Sequence, residues 1–278
     1  MIKHYLKVAF RNLIKYKTQS LVSIIGLAVG FTCFALSVLW IRYEMTYDNF
    51  HEGADRIYLV RAHYANEPGT SKFTPYPLMK YLQDKMPEIE AVTAFTAHYV
   101  KFRMEDTEQE IGMIAADSVF MNFFDIQLLK GTVNFLKCDG QEVAITKEFA
   151  KRLFSKEEDA LGKEVEVGRR VCKIGAIVSG WSNHSNIPYN ILAPARHSPQ
   201  WGSSNEQLLI RVRERTDIDA FRTKMSTVCI NDIEKESELS DLLITRMSAL
   251  RYSDYVDKAD VVISFSYIFY FSLAGGLV

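Results

Sequence analysis

Few residues of this 278-residue chain stand where they could do chemistry together. The six histidines, His4, His51, His63, His98, His184 and His197, show no metal-ligand spacing. His184 has Ser182 and Ser185 close by in the run WSNHSN. A serine–histidine pair would serve nucleophilic catalysis, but triad members meet in space rather than as sequence neighbours, so a loop-stabilising role is expected. Glu164 and Glu166 would make a carboxylate pair for acid–base work, yet their alternation with Val165 and Val167 reads as the solvated side of a strand. The nearest approach to a phosphate-binding loop, Leu161 to Glu164, lacks the upstream glycine and the hydroxyl after the lysine, which excludes ATP hydrolysis by that route. GxSxG, HExxH and kinase signatures are absent. Trp181 and Trp201 are read as loop packing. The expectation is a chain that is no enzyme and holds no cofactor or metal of its own.

Cys33 sits in an apolar run, while Cys138, Cys172 and Cys229 lie beyond it. Three is odd and no CxxC occurs, so neither zinc nor a redox motif is indicated. One disulfide in an oxidising compartment and buried thiols are both open, and the thiols are the reading taken.

The elements that carry these residues alternate between strand and helix patterns. Arg56–Ala65 reads as a strand and Glu67-Pro68-Gly69 as a turn. Pro75 and Pro77 open a helix that stops near Pro87. Ala91–Met104 is rich in β-formers. The acids Glu105, Asp106, Glu108 and Glu110 mark a hairpin before a returning strand. Phe120–Gly131 is expected as a short helix and turn. Glu142–Ile145 leads into a helix capped by Thr146, and a hairpin turns at Gly168. Another strand, a helix capped by Asp217 and a last strand complete an α+β pattern with mixed or antiparallel sheets.

Two uncharged runs bracket this region. Thr18–Ile41, between Lys17 and Arg42, spans roughly 36 Å as a helix against about 30 Å of bilayer hydrocarbon. Leu21–Ile41 holds 12 Leu, Ile, Val or Phe residues, together about −4 to −7 kcal/mol on an insertion scale. A cleaved signal peptide would be shorter and would end in small residues. This run ends in Trp40, Arg42 and Tyr43, an interfacial anchor. Before it, Ile2, Tyr5, Leu6, Ala9, Phe10, Leu13 and Ile14 fall on one helical face. Lys3, His4, Lys7, Arg11, Asn12 and Lys15 fall on the other, the signature of an interfacial amphipathic helix. Lys3, Lys7, Arg11, Lys15 and Lys17 precede the run and no acid precedes Glu44, so the N-terminus is expected in the cytoplasm and the remainder outside.

The second run, Val261–Val278, has ten Leu, Ile, Val or Phe residues but also three serines and Gly275-Gly276. A second span that ends early is favoured over an apolar helix packed on the outer domain. The expected organisation is an interfacial helix over 1–17, a span over 18–42, an outer domain over 43–259 and a second span over 260–278. Residues 1–42 hold six of the 33 basic residues and none of the 34 acidic ones, leaving −7 on the remainder, which argues against nucleic-acid binding.

Lys7–Val60 resembles the start of MacB/FtsX-like ABC transporter permeases, most closely the group common in Bacteroidetes-type bacteria. The matching residues are Arg11-Asn12-Leu13, Gly26–Gly30, Glu44, Tyr47-Asp48, Phe50 and Arg56-Ile57-Tyr58. Phe123-Phe124-Asp125, Leu129–Gly131, Glu142–Phe154 with Ala160–Val165, and the loop Ser182–Leu192 continue the match. Ala160-Leu161 stands where the family has proline, and the family carries further spans beyond the point where this sequence stops.

The resemblance implies a MacB-like periplasmic core domain. It also implies a permease subunit of an exporter or mechanotransmission system in the inner membrane, in contact with lipid and a cytoplasmic ATPase that binds the ATP. A homodimer or pseudo-dimer, a periplasmic adaptor and an outer-membrane channel are further implied partners. Gly26, Ala28 and Gly30 would let two spans approach closely, or are ordinary span composition. A two-span sensory ectodomain, and an FtsX-like regulator of cell-wall hydrolases, are the alternative functions.

Overall fold

The apolar runs become helices and strands where the computed structural model describes the chain, over residues 2–65, 68–105, 107–137, 141–181, 183–233, 238–250 and 270. One unit runs from Met1 to Thr46 and a second begins at Tyr47. The expected second span over 260–278 lies outside the described residues, save for Tyr270.

The first unit is two helices. α1 spans Ile2–Lys15 and α2 spans Lys17–Glu44. Tyr16 breaks them apart by leaving helical geometry (φ −109°, ψ 57°). α2 contains no proline and ends two residues beyond Arg42, which stands in its last turn where a cation suits the helix dipole.

The second unit is built on a twelve-stranded mixed sheet. In chain order its elements are β1 (Ile57–Tyr64), β2 (Thr70–Ser71), β3 (Thr74–Pro75), α3 (Pro77–Lys85), β4 (Ile89–Met104) and β5 (Thr107–Ala116). There follow α4 (Ser118–Phe123), β6 (Leu128–Gly131), β7 (Glu142–Thr146), α5 (Lys147–Leu153), β8 (Glu164–Val167) and β9 (Arg170–Val178). The last are β10 (Ile191–Pro194), β11 (Ser204–Val212), α6 (Ile218–Ile233) and β12 (Leu239–Arg246). The main strand order is β12-β1-β11-β4-β5-β10-β7-β9-β6. Most neighbours are antiparallel, but β10 runs parallel to β5 and β7 parallel to β9. The α+β class with a mixed sheet is therefore observed.

Local signals set the ends of these elements. Thr146 accepts a hydrogen bond from the Phe149 amide at 3.3 Å and starts α5, as its position before Lys147 predicts. Asp217 accepts from the amides of Asp219 and Ala220, both at 3.1 Å, at the start of α6. Pro77 is the first residue of α3, where its missing N–H costs nothing, whereas Pro75 belongs to β3. The turn at Gly168 has the left-handed φ of 64° that the β8–β9 hairpin requires.

One expectation is corrected. Leu128–Gly131, expected as a helix-and-turn end, is strand β6 at an edge of the sheet, paired with β9. The apolar run after α4 is too short for its periodicity to separate helix from strand.

β1 shows how the sheet is buried on both faces. Tyr58, Val60 and Ala62 join Leu78 and Leu82 of α3 and Phe221 and Met225 of α6 in one apolar cluster. Ile57 and Leu59, pointing the other way, join Phe120 of α4, Phe95 and Leu209 in a second. The unbroken run Ile57–Val60 is the sequence mark of that two-sided burial. A third cluster gathers Phe102, Ile145, Phe149 and Ile177 around α5.

Gly131 sits where β6 meets β9, at φ +86°. A Cβ there would lie 2.2 Å from the Gly175 carbonyl oxygen and 2.8 Å from Ala176 Cα. Backbone on both sides cannot give way cheaply. Gly131→Ala is expected to lower stability by about 2 kcal/mol, read as a lower urea midpoint at unchanged slope.

Candidate functional site

The residues singled out for anchoring and orientation lie on the two helices of the first unit. Lys7, Arg11, Lys15 and Lys17 are exposed, as are Trp40 and Arg42; the side chain of Lys3 lies outside the described residues. Tyr5, Phe10, Leu13 and Ile14 of α1 are exposed with them. α2 is long and apolar enough to cross a membrane, and only 6% of its most apolar window is buried. A core helix of a soluble protein would be mostly buried, so this helix presents its side chains to something other than its own fold. Two of its hydroxyls bond back to the helix itself: Thr32 Oγ1 donates to the Ala28 carbonyl at 2.8 Å and Ser37 Oγ to that of Cys33 at 2.9 Å. Trp40 Nε1 donates to Glu44 Oε1 at 3.0 Å.

Gly26 and Gly30 are four residues apart and share one helix face. Gly26 is half-buried and Gly30 buried, while Ala28 is exposed on another side. Where α1 meets α2 there is a cleft of about 530 Å³, with Asn12, Gln19, Ser20 and Ser23 among its polar lining and Leu13 and Ile24 among its apolar lining.

In the second unit the chemistry-bearing residues are dispersed. His184 packs against Tyr47 with its ring tilted by 46° and the ring centroids 3.9 Å apart. Ser182 lies outside the described residues. Ser185 donates to Asp48 at 2.5 Å rather than to a histidine. The Asp48 carboxylate also accepts from the Asn186 amide at 3.0 Å and from Asn186 Nδ2 at 2.5 Å. Burial pushes the Asp48 carboxyl above its ordinary value, against the lowering effect of these donors.

His51 has a side chain only 6% exposed, among Phe50, Phe124 and Trp181 at ring distances of 4.2–4.9 Å. Burial, with a smaller contribution from the Arg211 charge, lowers its pKa to about 4. Burial likewise raises the Tyr189 phenol and the Cys172 thiol.

His197 stands between two carboxylates, with Nδ1 3.2 Å from Glu206 and Nε2 3.8 Å from Asp117. It stacks flat on Tyr76 at 4.1 Å. Tyr76 in turn lines a cleft of about 820 Å³ with Pro77, Tyr81, Pro199 and Trp201.

Glu164 is exposed, and Glu166 meets Arg103 at 3.2 Å across the β4–β8 pair. Trp181 packs in the second apolar cluster, and its Nε1 donates to the Ile187 carbonyl at 3.1 Å. Cys172 is a buried thiol; Cys138 and the Cys229 side chain lie outside the described residues. Among the described residues, no group of three or more His, Cys, Asp or Glu is placed to hold a metal.

Sequence reasoning missed Asp48. A carboxylate in a polar turn reads as solvated, yet this one is 0% exposed, and its partners are some 138 residues away in the chain. The signal was the left-handed turn that a Tyr-Asp-Asn step favours, because Asp48 has φ 57°.

A family model described as the MacB-like periplasmic core domain matches residues 20–228. The solved structure of a domain of a putative permease protein from Porphyromonas gingivalis is similar in fold. It has a TM-score of 0.56 and 19% identity, over 70% of this chain and 92% of that one. The extracellular domain of the noncanonic ABC-type transporter YknZ from Gram-positive bacteria gives 0.49 and 14%, over 68% and 99%. The periplasmic region of MacB from Actinobacillus actinomycetemcomitans gives 0.49 and 13%, over 71% and 91%. No curated protein sequence matches the chain.

Proposed function

We propose, from the premise that this chain belongs to the MacB-like periplasmic core domain family, that it is a permease-type subunit held in the inner membrane by α2. The observation that carries this reading is the bare apolar surface of α2, which runs to Glu44, with only Met45 and Thr46 between it and the second unit in sequence. Lipid is the solvent that such a surface fits, because every backbone group of a helix is bonded within it. The cations of α1 and the absence of acid before Glu44 orient the N-terminus toward the cytoplasm. α1 then lies in the inner interface, its lysines and Arg11 on the headgroups.

The chain itself does no chemistry in this reading. ATP is bound and hydrolysed by a cytoplasmic partner subunit, and the work reaches the outer domain as movement between two states. A second copy or a paralogous half completes the assembly through the spans, with the Gly26–Gly30 face as the close-approach surface.

Two measurements test this. Alkaline phosphatase fused after Arg42 is expected to be active and a cytoplasmic reporter at the same point inactive; the reverse would overturn the orientation. The purified chain is expected to show ATPase activity no higher than a blank, and turnover that follows the protein through purification would refute the division of labour.

A further inference from the structure

The β1–β12 ladder ends at the pair Tyr58 and Arg246. Beyond it lie two segments, Tyr47–Arg56, which closes in a 3-10 turn at Ala54–Arg56, and Met247–Leu250, which opens in one at Met247–Ala249. In sequence, the first follows α2 directly and the second leads toward the apolar run Val261–Val278. No strand pairing holds either of them among the described residues.

Their short turns, Ala54–Arg56 and Met247–Ala249, lie against each other, and a third segment, the loop around His184–Ile187, is hydrogen-bonded to both segments. The Asp48 amide donates to the His184 carbonyl at 3.3 Å. The Asp48 carboxylate accepts from Ser185 Oγ, the Asn186 amide and Asn186 Nδ2. The same Asn186 Nδ2 donates to the Met247 carbonyl at 3.0 Å. Ser185 Oγ in turn accepts from the Ile187 amide at 3.1 Å. One side chain, Asn186, thus bridges the segment at the start of the domain and the segment at its end.

A buried carboxylate is a costly way to hold a loop. Asp48 and Ser185 are 0% and 4% exposed, and a well-packed apolar residue would hold a simple turn at least as stably. What the carboxylate supplies is several short, directional bonds at once, which fix Asn186 in the pose that reaches Met247. Left-handed backbone at Asp48 aims both its amide and its carboxylate at the same loop.

We propose that Asp48 and Asn186 form a clasp that couples the two ends of the outer domain, so that displacement of either end is passed to the other. Its meaning for transport rests on the reading above, in which the first of these ends follows the membrane helix α2. The clasp itself is a statement about the folded domain. Asp48 and Asn186 are positioning residues.

The test is amide hydrogen exchange of the full chain in detergent micelles. Asn186→Ala keeps the Asp48 bonds to Ser185 Oγ and to the residue-186 amide but cuts the bridge to Met247. The amides of His51, Ala54 and Arg56, and that of Leu250, are expected to exchange about tenfold faster, together, relative to Ile145 and Ile177 of the sheet. Ser185→Ala, which leaves the bridge in place, is expected to accelerate residues 183–187 alone.

Acceleration confined to 183–187 in Asn186→Ala, or at only one end of the domain, would overturn the clasp and leave a loop brace. Should Asn186→Ala also accelerate Ile145 and Ile177, the milder Asn186→Ser, read as the same ratio, decides: joint, selective loosening supports the coupling and any other pattern removes it. None of these readouts depends on an ATPase or on topology. A failed reporter test with joint loosening sinks the permease reading alone, and the converse sinks the clasp alone.

Discussion

A chain carrying Leu27→Asp and Phe31→Asp is expected to leave the membrane fraction. Both positions lie near the middle of α2, and their side chains are 65% and 69% exposed. An aspartate at the centre of a span costs about 2.5–3.5 kcal/mol on an insertion scale, so two cost roughly 5–7 kcal/mol. The lost Leu and Phe remove about 1 kcal/mol more. Against this, the 12 large apolar residues of Leu21–Ile41 contribute only about −4 to −7 kcal/mol. The balance moves from clearly favourable to near zero or worse. The measurement is the share of protein that stays in the pellet after a carbonate wash. Tyr43→Asp, in the last turn where the penalty is small, is expected to stay with the wild type. A double variant retained as fully as the wild type would mean that α2 is not threaded through lipid.

The same arithmetic explains why this part of the chain was legible. A 24-residue uncharged window needs no partner to be read as one long apolar helix, and α2 runs unbroken through it. Caps and turns were legible for a related reason. Thr146, Pro77, Asp217 and Gly168 act on backbone groups within four residues of themselves. The two-sided burial of Ile57–Val60 was written in an unbroken apolar run.

What sequence did not show depends on distance. The parallel contacts β5–β10 and β7–β9 join strands that no hairpin connects, and no local pattern encodes such a pairing. β6 is four residues long and its residues carry no alternation. Trp181, read as loop packing, is a loop residue that packs against the second apolar cluster, but its partners Phe120, Phe124 and Tyr189 come from other elements and were not legible. His51 and Asp48 look like solvated turn residues in the string YDNFHEG. Only the loop 183–187 and the aromatic cluster bury them. Tertiary context won over local polarity at just the turn that connects to α2.

That buried histidine is expected to make the domain acid-sensitive. His51 is neutral in the fold, with its pKa lowered to about 4, first by burial and second by the Arg211 charge, from the ordinary 6.5. The unfolded chain therefore binds a proton between pH 6.5 and 4 that the folded chain does not. Stability from this group is complete above 6.5 and declines as pH falls through the window, approaching about 1.4 kcal/mol per pH unit and reaching about 3 kcal/mol near pH 4.

Asp48, 4.0 Å from His51 Nε2, works the other way. Its raised pKa means that the fold takes up a proton before the unfolded chain does, which returns stability at the acid end. The His51 effect between pH 6.5 and 5 is therefore read by comparison with His51→Phe, which keeps Asp48. Urea midpoints of the full chain in detergent, followed by the fluorescence of Trp181 at 4.9 Å from the His51 ring, are expected to fall steeply across that range. His51→Phe removes the titration and keeps an aromatic ring among Phe50, Phe124 and Trp181. Its unfolding free energy, midpoint times urea slope, is expected to change with pH by about 2 kcal/mol less than that of the wild type between pH 7 and 5. Equal slopes in the two proteins would show that the imidazole is already hydrated in the native state, and that the acid response of this domain originates elsewhere.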